Sequence, residues 1–283
     1  MVYNGGGRPA AVQSIQKAAP GLVPTSFRIQ RSRWVQSDNV ERDWALKAPP
    51  PPRVSWPVMY HQWNWISFIH WRYPPAMVEP ILPAGLRLET FDGSAWIGLT
   101  PFLMEGLRAP VVPAMPWVSR FPETNVRTYV RDDRGRSGIW FLSLDAARLP
   151  AVLAARVTYR LPYFWSDMAV HVTGSRIDYR CRRRLPSRGG ARCDADVALG
   201  AALDESERDE RVHFLTARFR LFTLIAGRLA AAEAEHQDWP LHHAELRHLD
   251  QDLVQRAGLP PPPGDPLVHA SPGVAVKVGM WRR

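Results

Sequence analysis

The chain has 283 residues, 46% of them apolar, and a formal net charge of +9. That length and apolar content can build a sizeable core, and the counts of tryptophan (12) and proline (27) favour a β-rich body with many loops over a helix bundle. Two cysteines are too few for a disulfide scaffold. No run reaches the ~18 apolar residues of a transmembrane helix, and the N-terminus lacks the apolar core of a signal peptide. We therefore expect a cytoplasmic protein with reduced thiols and no membrane partner.

The first 53 residues differ from the rest in composition. They contain the glycine-rich stretch NGGGRP, few periodic apolar positions and a closing polyproline run, APPPPR. We therefore predict an N-terminal arm and linker over residues 1–53 and one domain over residues 54–283. Ordering a chain costs roughly 1–2 kcal/mol of backbone entropy per residue, so an ordered arm must bury surface on the body or on a second copy. This reasoning predicts a homo-oligomer, a dimer or larger.

Strand signals dominate the first half of the predicted domain. Aromatic and β-branched runs alternate with turn-forming Gly, Asp and Pro. The predicted elements in chain order are a strand in QWNWISFIHW (62–71), a short helix in PPAMVEPILP (74–83), two strands around the turn Phe91-Asp92-Gly93-Ser94 in 86–104, a hairpin of ETNVRTYV and GIWFLSLD around RDDRGRS, and a short helix or turn in AARLPAVLAAR (146–156).

The second half contains one segment that sequence alone leaves open. MAVHVTGSRIDYRCRRR predicts a hairpin, and the Arg-rich RCRRRLPSRGGAR around Pro-Ser-Arg-Gly-Gly is typical of an exposed hairpin tip. Residues 211–236 have helical apolar spacing but also fit a hairpin about Ala226-Gly227, where a glycine would interrupt a helix, and both structures stay open from the residues alone. LHHAELRHLDQDLVQRAGL (241–259) predicts an amphipathic helix ending at Gly258, and PLVHASPGVAVKVGMW predicts two closing strands.

The positive charge does not by itself indicate nucleic-acid binding. It comes almost entirely from arginine, since the chain has only three lysines, Lys17, Lys47 and Lys277. No zinc-finger, recognition-helix or aromatic–basic ribonucleoprotein pattern accompanies the arginines. We therefore expect a solvated arginine-rich surface and no nucleic-acid partner.

One predicted strand carries an unusually polar face. Because side chains alternate along a strand, Glu123, Asn125, Arg127 and Tyr129 share one side. The opposite side is β-branched and suits packing against a covering layer. The polar side either faces solvent or lines a pocket inside a barrel. In a pocket, Glu123 and Arg127 would lie roughly 13 Å apart by strand rise and could hold opposite ends of a ligand, with Glu123 as a general acid–base.

Other candidates for the same pocket depend on strand register. Asp145 and Ser143 share the face of Glu123 in only one of two registers of the hairpin. His70 and Arg72 share one face of their own strand and could form a second polar wall. Tyr159 and Tyr163 are weaker candidates of the same kind. The histidines at 236, 242, 243 and 248 lack a metal-ligand spacing and indicate a polar helix face, so we expect no metal and no cofactor.

The sequence from Trp63 to Met168 resembles the YqjF-like family of uncharacterised bacterial proteins. The segments that carry the resemblance are FIHWRYP, ILPAGLRLETFDGSAWIGLTPF, FPETNVRTYV, GIWFLSLDA and ARVTYRLPY, and LTARFRLF, HQDWPL and VHASPGVAV extend it over roughly residues 56–280. That family is in turn similar to the acetoacetate decarboxylase superfamily. The resemblance implies an α+β, mainly antiparallel β fold, a closed β-cone or barrel with a few flanking helices, and it favours the hairpin for residues 211–236.

The superfamily's Schiff-base chemistry is not implied for this chain. The catalytic lysine lies in a Pro-Lys-Lys-Leu run, which here is Pro150-Ala151-Val152-Leu153. The arginine that holds a β-keto carboxylate falls on Asn64, which leaves Asn64 as a substrate-binding candidate. Of the two acidic positions, the catalytic glutamate falls on Glu123, and the residue preceding the lysine turn falls on Asp145.

Two hypotheses follow. The first is an enzyme that acts by acid–base chemistry, without a covalent lysine, on an oxygenated organic molecule such as a keto acid or a polyketide-like intermediate; hydrolysis, dehydration, isomerisation and cyclisation all stay open. Its catalytic residues would be Glu123 and Asp145, and its other site residues would bind substrate: Arg127, Asn125, Tyr129, His70, Arg72 and Asn64. The second hypothesis is a non-catalytic ligand-binding protein or assembly scaffold.

Overall fold

The computed structural model describes residues 51–185 and 190–283. Nearly the whole predicted arm, residues 1–50, lies outside the described residues, so the arm and its role in assembly stay predictions. The Pro186–Gly189 part of the arginine-rich hairpin tip lies outside them as well.

Twelve strands and four short α-helices make up the described residues. The strands are Pro57–Tyr73 (β1), Leu86–Leu88 (β2), Ala95–Arg108 (β3), Phe121–Asp132 (β4), Ser137–Ala146 (β5), Tyr163–Thr173 (β6), Arg176–Leu185 (β7), Arg192–Ala202 (β8), Arg220–Ile225 (β9), Arg228–His236 (β10), His242–Gln251 (β11) and Leu267–Gly279 (β12). The helices are Pro75–Val78 (α1), Leu149–Ala154 (α2, continued by a π-turn at Ala155–Tyr159), Glu210–Thr216 (α3) and Leu253–Arg256 (α4), with 3-10 turns at Glu79–Ile81 and Glu205–Glu207.

All twelve strands belong to one sheet that closes on itself. The order is β10-β9-β5-β6-β7-β8-β11-β12-β1-β3-β4-β2, and two further pairings, β10 with β12 and β4 with β5, complete a ring of β5, β4, β3, β1, β12, β10 and β9. The β5–β6 and β5–β9 pairs are parallel and the others are antiparallel. The prediction of a mainly antiparallel, closed β-fold with a few helices is confirmed.

The predicted hairpins form where the turn chemistry is strong. At the β4–β5 tip the carboxylate of Asp132 accepts hydrogen bonds from the backbone N–H of Arg134 (3.1 Å) and Arg136 (2.8 Å). Between β9 and β10, Ala226 and Gly227 both have positive φ, 52° and 73°, the backbone of a tight two-residue hairpin turn. Residues 220–236 are therefore a hairpin, and the helical spacing before them belongs to α3.

The predicted helix over 241–259 is wrong for residues 242–251; only the short helix α4, Leu253–Arg256, forms before Gly258. Residues 242–251 are strand β11, which pairs with β8 and, at its start, with β12. Ala244, Leu246 and Leu249 pack on the core. Core-facing residues of a strand normally lie two positions apart, but the irregularity between Leu246 and His248 places the next one, Leu249, three positions after Leu246. A β-bulge thus gives the apolar residues of this strand a spacing that is also typical of a helix. The expected polar helix face that carried His242, His243 and His248 is a strand face.

The prediction of two closing strands also needs correction. The C-terminal segment is one strand, β12. Its backbone passes so close to β1 that a Cβ at position 273 would lie 2.3 Å from the Trp63 carbonyl oxygen, and Gly273, which has no Cβ, lets the strand continue. The two strands predicted around Phe91-Asp92-Gly93-Ser94 are confirmed as β2 and β3, each of which pairs with β4.

The main core lies outside the ring, between it and a covering layer of β7, β8 and β11. Val126 on the outer face of β4 packs there with Ile97, Leu99 and Ile177, all of them fully buried. Cys181 and Cys193 face each other across β7 and β8 as free, buried thiols. Within the two described segments, no helix has the length and apolarity that a membrane crossing requires. With its outer face covered, the ring is left with an inner face that encloses a cavity.

Candidate functional site

A cavity of about 610 Å³ lies inside the ring. Most of its lining is apolar, from β1, β3, β5, the loop between β3 and β4, and α2 with the segment after it. Three consecutive inward positions of β4, Glu123, Asn125 and Arg127, line it together. All three are at least nine-tenths buried. Of the two surroundings that the alternation allowed for this polar face, the structure therefore has the interior pocket and not bulk solvent.

Glu123 is a buried carboxyl held by one hydrogen bond. It is 4% exposed, and Tyr163 Oη donates to its Oε2 at 3.0 Å. Burial raises the pKa of Glu123 from 4.5 to about 8; the Tyr163 hydrogen bond opposes this rise, and the negative charge of Asp145 adds to it. At neutral pH the group therefore holds an exchangeable proton next to the cavity.

Arg127 is a buried guanidinium without a counter-charge. Of the buried arginines in the described residues, Arg183 and Arg218 each pair with a carboxylate, whereas Arg127 pairs with none, and its Nε has no hydrogen-bond partner. The guanidinium carbon lies 5.4 Å from the Phe68 ring centroid. Because a buried cation is costly unless it is paired, this arrangement suits an anionic group of a ligand.

A second guanidinium, that of Arg218, also lines the cavity. Its Nε donates to the Phe214 carbonyl oxygen at 2.7 Å, and its Nη1 pairs with Glu89. Glu89 also accepts from Arg131 at 2.9 Å. One carboxylate thus serves two arginines, so this end of the cavity has an excess of positive charge.

Tyr129 and His70 support Arg127 from behind the cavity wall and do not line the cavity. The Tyr129 hydroxyl donates to the Leu215 carbonyl oxygen at 2.8 Å, so the Nε2–H of His70 must donate to that hydroxyl, at 2.6 Å. Burial, and then the charge of Arg127, hold the pKa of His70 well below its usual value. The space for the imidazole is provided by Gly98, where a Cβ would lie 2.9 Å from His70 Nε2 and 3.3 Å from Arg127 Cγ.

Asp145 and Ser143 lie on the opposite face from Glu123. The register pairs Thr124 with Asp145 and Val126 with Ser143, and it shifts at Val126/Arg127. Since paired residues share a face, the hairpin has the register that turns both side chains outward. There Asp145 forms a fully buried, bidentate ion pair with Arg183 (2.6 and 2.8 Å) and accepts from Ser166.

Arg72 and Asn64 also lie outside the cavity. Arg72 is exposed, pairs with Asp92 at 3.0 Å and stacks over Trp96. Asn64 donates to Glu105 at 2.6 Å. Of the two weaker candidates, Tyr163 lines the cavity, and the side chain of Tyr159 lies outside the described part of the chain.

Residues 150–153, which the resemblance aligns with the superfamily's lysine turn, lie at the cavity and carry no amine. Ala151 lines the cavity and Val152 is buried in the apolar cluster beside it. The one lysine in the described residues, Lys277, pairs with Glu235 at 2.8 Å on the outside of β12.

Sequence reasoning missed an aromatic and histidine wall of the cavity, formed by His61, Trp63, His236 and Trp239. The pattern Trp-x-Trp in β1 was visible, but the approach of His236 and Trp239 to β1 depends on closure of the ring through β10 and β12. Among the described residues, no group of three or more His, Cys, Asp or Glu side chains could hold a metal ion.

The chain matches known proteins over most of its length. Residues 60–275 match the profile of the DUF2071 family of uncharacterised conserved proteins. The uncharacterised protein YqjF of Bacillus subtilis (strain 168) is 35% identical over 218 residues, which cover 75% of this chain and 86% of that protein.

Solved structures with the same fold come from acetoacetate decarboxylase-like proteins. The enduracididine biosynthesis enzyme MppR in complex with pyruvate has a TM-score of 0.55 at 15% identity, covering 83% of this chain and 91% of MppR. An acetoacetate decarboxylase-like enzyme of Sphingomonas wittichii RW1 gives 0.56 at 12% identity (80% and 92% covered), and the acetoacetate decarboxylase of Legionella pneumophila gives 0.55 at 13% (86% and 94%). At such identities the likeness establishes the fold alone. Sequence and fold together place this chain in the DUF2071 family, within the acetoacetate decarboxylase-like fold.

Proposed function

We propose that this protein is a small-molecule enzyme that acts by acid–base chemistry, without a covalent lysine, on an oxygenated organic acid such as a keto acid. The observation that carries the proposal is that a buried carboxyl with a raised pKa, Glu123, and a buried guanidinium without a carboxylate partner, Arg127, line the same cavity. The two groups offer a transferable proton and an anion site.

The proposed roles follow from the order of the residues along β4. Arg127 binds the carboxylate of the substrate. Glu123 moves a proton to or from a carbon or oxygen of the substrate, and Tyr163 keeps one carboxyl oxygen oriented so that the other faces the substrate. Asn125 lies between them, and its side-chain amide can donate to an oxygen on which charge develops. Neither Asp145 nor the outward-facing Arg72 and Asn64 has a part in this scheme.

Solved relatives of the fold support a keto acid as the first substrate class to test. MppR is described in complex with pyruvate. This chain differs at the lysine turn, where Ala151 and Val152 stand, so the electron sink of a Schiff base is absent and a hydrogen-bonded enol or enolate is the intermediate that the site would have to stabilise. Enolisation, the step shared by isomerisation, dehydration and cyclisation, is then the reaction to measure.

Proton exchange gives a test that does not require the natural substrate. Pyruvate, phenylpyruvate and acetoacetate are incubated with the protein in D2O, and loss of the C–H signal next to the keto group is followed by NMR. We expect exchange above background with at least one acid, its loss in Glu123→Gln, and a higher half-saturating concentration in Arg127→Met. Glu105→Gln, at the ion pair with Arg120 outside the cavity, is the matched control. Exchange that persists in Glu123→Gln contradicts the proposal, and binding without exchange favours the non-catalytic ligand-binding protein.

A trapping experiment tests the absence of a covalent amine. With each keto acid and borohydride, we expect no lysine adduct by mass spectrometry and no decarboxylation of acetoacetate above background, because Ala151 and Val152 occupy the lysine positions of the superfamily. A stoichiometric, keto-acid-dependent adduct on any of the three lysines would refute lysine-free chemistry.

A further inference from the structure

The cavity is much larger than its acid–base site needs, and one of its walls is aromatic. We propose that it binds an aromatic carboxylic acid that also carries a neutral hydroxyl group on its ring system. The inference rests on the proposed function for one point only, the seating of the carboxylate at Arg127. It goes further by assigning the wall of His61, Trp63, His236 and Trp239, called here the aromatic wall, to the body of the substrate and its hydroxyl.

The size of the cavity argues for a ligand with a large apolar body. Its volume of about 610 Å³ lies within the range of sites that enclose drug-sized molecules, roughly 300–1,000 Å³. An acid as small as pyruvate would leave most of this space to water in contact with apolar side chains such as Phe102, Phe141 and Leu144. An aromatic acid would fill it.

The aromatic wall begins next to the anion site. Phe68 lies under the Arg127 guanidinium and contacts Trp239, with ring centroids 5.1 Å apart. Trp239 stacks on Trp63 at 5.9 Å with only 11° between the ring planes. His61 follows at 5.2 Å from Trp63. A planar ligand anchored at Arg127 therefore meets aromatic surface as it extends along the cavity.

The two histidines of the wall carry unused hydrogen-bonding atoms. His61 is 6% and His236 3% exposed. His236 Nδ1 lies 2.7 Å from the Gln237 carbonyl oxygen and must be protonated, which leaves Nε2 as an acceptor. That Nε2 and both ring nitrogens of His61 have no hydrogen-bond partner among the described residues. Buried polar atoms are nearly always satisfied, so these atoms indicate a polar group of the ligand.

The electrostatics of the wall select a neutral group. Burial lowers the pKa of His61 to about 3 and also lowers that of His236, so both rings are uncharged at neutral pH. A hydroxyl can donate to His236 Nε2 and accept from His61, whereas a second carboxylate would find no cation there. A ligand cation on the tryptophan faces is disfavoured as well, since Arg127 and Arg218 line the same cavity and its one lining carboxyl in the described residues, Glu123, is protonated at neutral pH.

Four commercial ligands test the inference on the unmodified protein by isothermal titration calorimetry. 6-Hydroxy-2-naphthoate has all three features, 2-naphthoate lacks the hydroxyl, 2-naphthol lacks the carboxylate, and pyruvate lacks the aromatic body. We expect the first to bind about tenfold more tightly than 2-naphthoate or 2-naphthol, the gain expected of one satisfied buried polar contact, and pyruvate to bind most weakly. Equal affinity for 2-naphthoate and the hydroxylated acid, or tighter binding of pyruvate, would overturn the inference.

Variants assign each feature to its residue. His236→Phe should bring the ratio of the affinities for 6-hydroxy-2-naphthoate and 2-naphthoate close to one, whereas the control His248→Phe, at an exposed histidine of β11, should keep the roughly tenfold ratio. Trp239→Leu should weaken all three naphthalene ligands, and Trp56→Leu, at a tryptophan 80% exposed, should not. Because calorimetry needs no turnover, the two proposals fail separately. If the unmodified protein binds the four ligands in the expected order but exchanges no keto-acid protons, only the acid–base function is refuted. If it exchanges pyruvate protons but does not bind the naphthoates, only the aromatic substrate is refuted.

Discussion

Replacing Glu123 with glutamine should change how the stability of the protein depends on pH. The Glu123 carboxyl is 4% exposed and its pKa is raised from 4.5 to about 8. In the unfolded chain the same group titrates near its usual value. Between these two values the folded protein keeps a proton that the unfolded chain has lost, so the unfolded state binds fewer protons and stability falls as pH rises through this window. Below the window both states are protonated, and above it both are ionised.

The size of the effect follows from the width of that window. Each unit of pKa difference corresponds to about 1.4 kcal/mol. Ionisation of Glu123 therefore lowers the free energy of unfolding by up to about 5 kcal/mol as the pH rises from acidic to mildly alkaline. Glutamine does not titrate, keeps the shape of the protonated acid and can still accept from Tyr163. Near pH 5 the variant should therefore be about as stable as the unmodified protein, and above pH 8 it should be more stable by several kcal/mol, on the order of 4.

The assay is urea denaturation of both proteins at one-unit steps from pH 5 to 9. Only the difference between variant and unmodified protein is used, because the titration of all other groups then largely cancels. Glu245→Gln, at a carboxylate whose side chain is 73% exposed, should give a flat difference. A difference for Glu123→Gln that stays within about 1 kcal/mol over the whole range would show that Glu123 titrates like a solvated carboxyl, and the reasoning about the site would be wrong.

Two further predictions concern the neighbours of Glu123. Asp145→Asn should destabilise the protein by about 3–5 kcal/mol, because it leaves Arg183 buried without its ion pair. Urea denaturation measures the loss, and a change below about 1 kcal/mol would contradict a structural role for Asp145. Proton exchange of the keto acid, measured per folded molecule, should persist in this variant. Tyr163→Phe removes the hydrogen bond that lowers the pKa of Glu123, so the carboxyl should titrate at higher pH. Carbon-13 NMR of labelled glutamate side chains would show this, and an unchanged or lower titration midpoint would refute it.

Local patterns predicted much of this fold. The β4–β5 and β9–β10 hairpins follow from Asp132 in one turn and Gly227 in the other, and the inward face of β4 follows from simple alternation. The errors occurred at irregularities of the sheet, which no local pattern reveals. A bulge in β11 gave helical spacing, and a register shift in the β4–β5 pair decides that Asp145 faces outward.

The part of the site that sequence could not provide depends on contacts between distant strands. His236 comes next to Trp63 only because β10 pairs with β12 and β12 with β1. Likewise, nothing in the sequence around Arg127 shows that it lacks a carboxylate partner; this depends on Glu89 being engaged by Arg131 and Arg218. A resemblance to a family identified Glu123, but the surroundings that give it a raised pKa required the closed ring.

Closure of the ring has a consequence for synthesis of the chain. β1, the first strand of the described residues, pairs over its length with β12, the last of them, from Pro57 opposite Gly279 to His70 opposite Leu267. The ribosome therefore releases β1 long before its partner β12 exists, and one edge of β1 stays open until β12 has emerged. Unpaired strand edges are sites of association between nascent chains. The same pairing that encloses the cavity thus makes folding of this protein dependent on β12, and on protection of β1 until β12 has been synthesised.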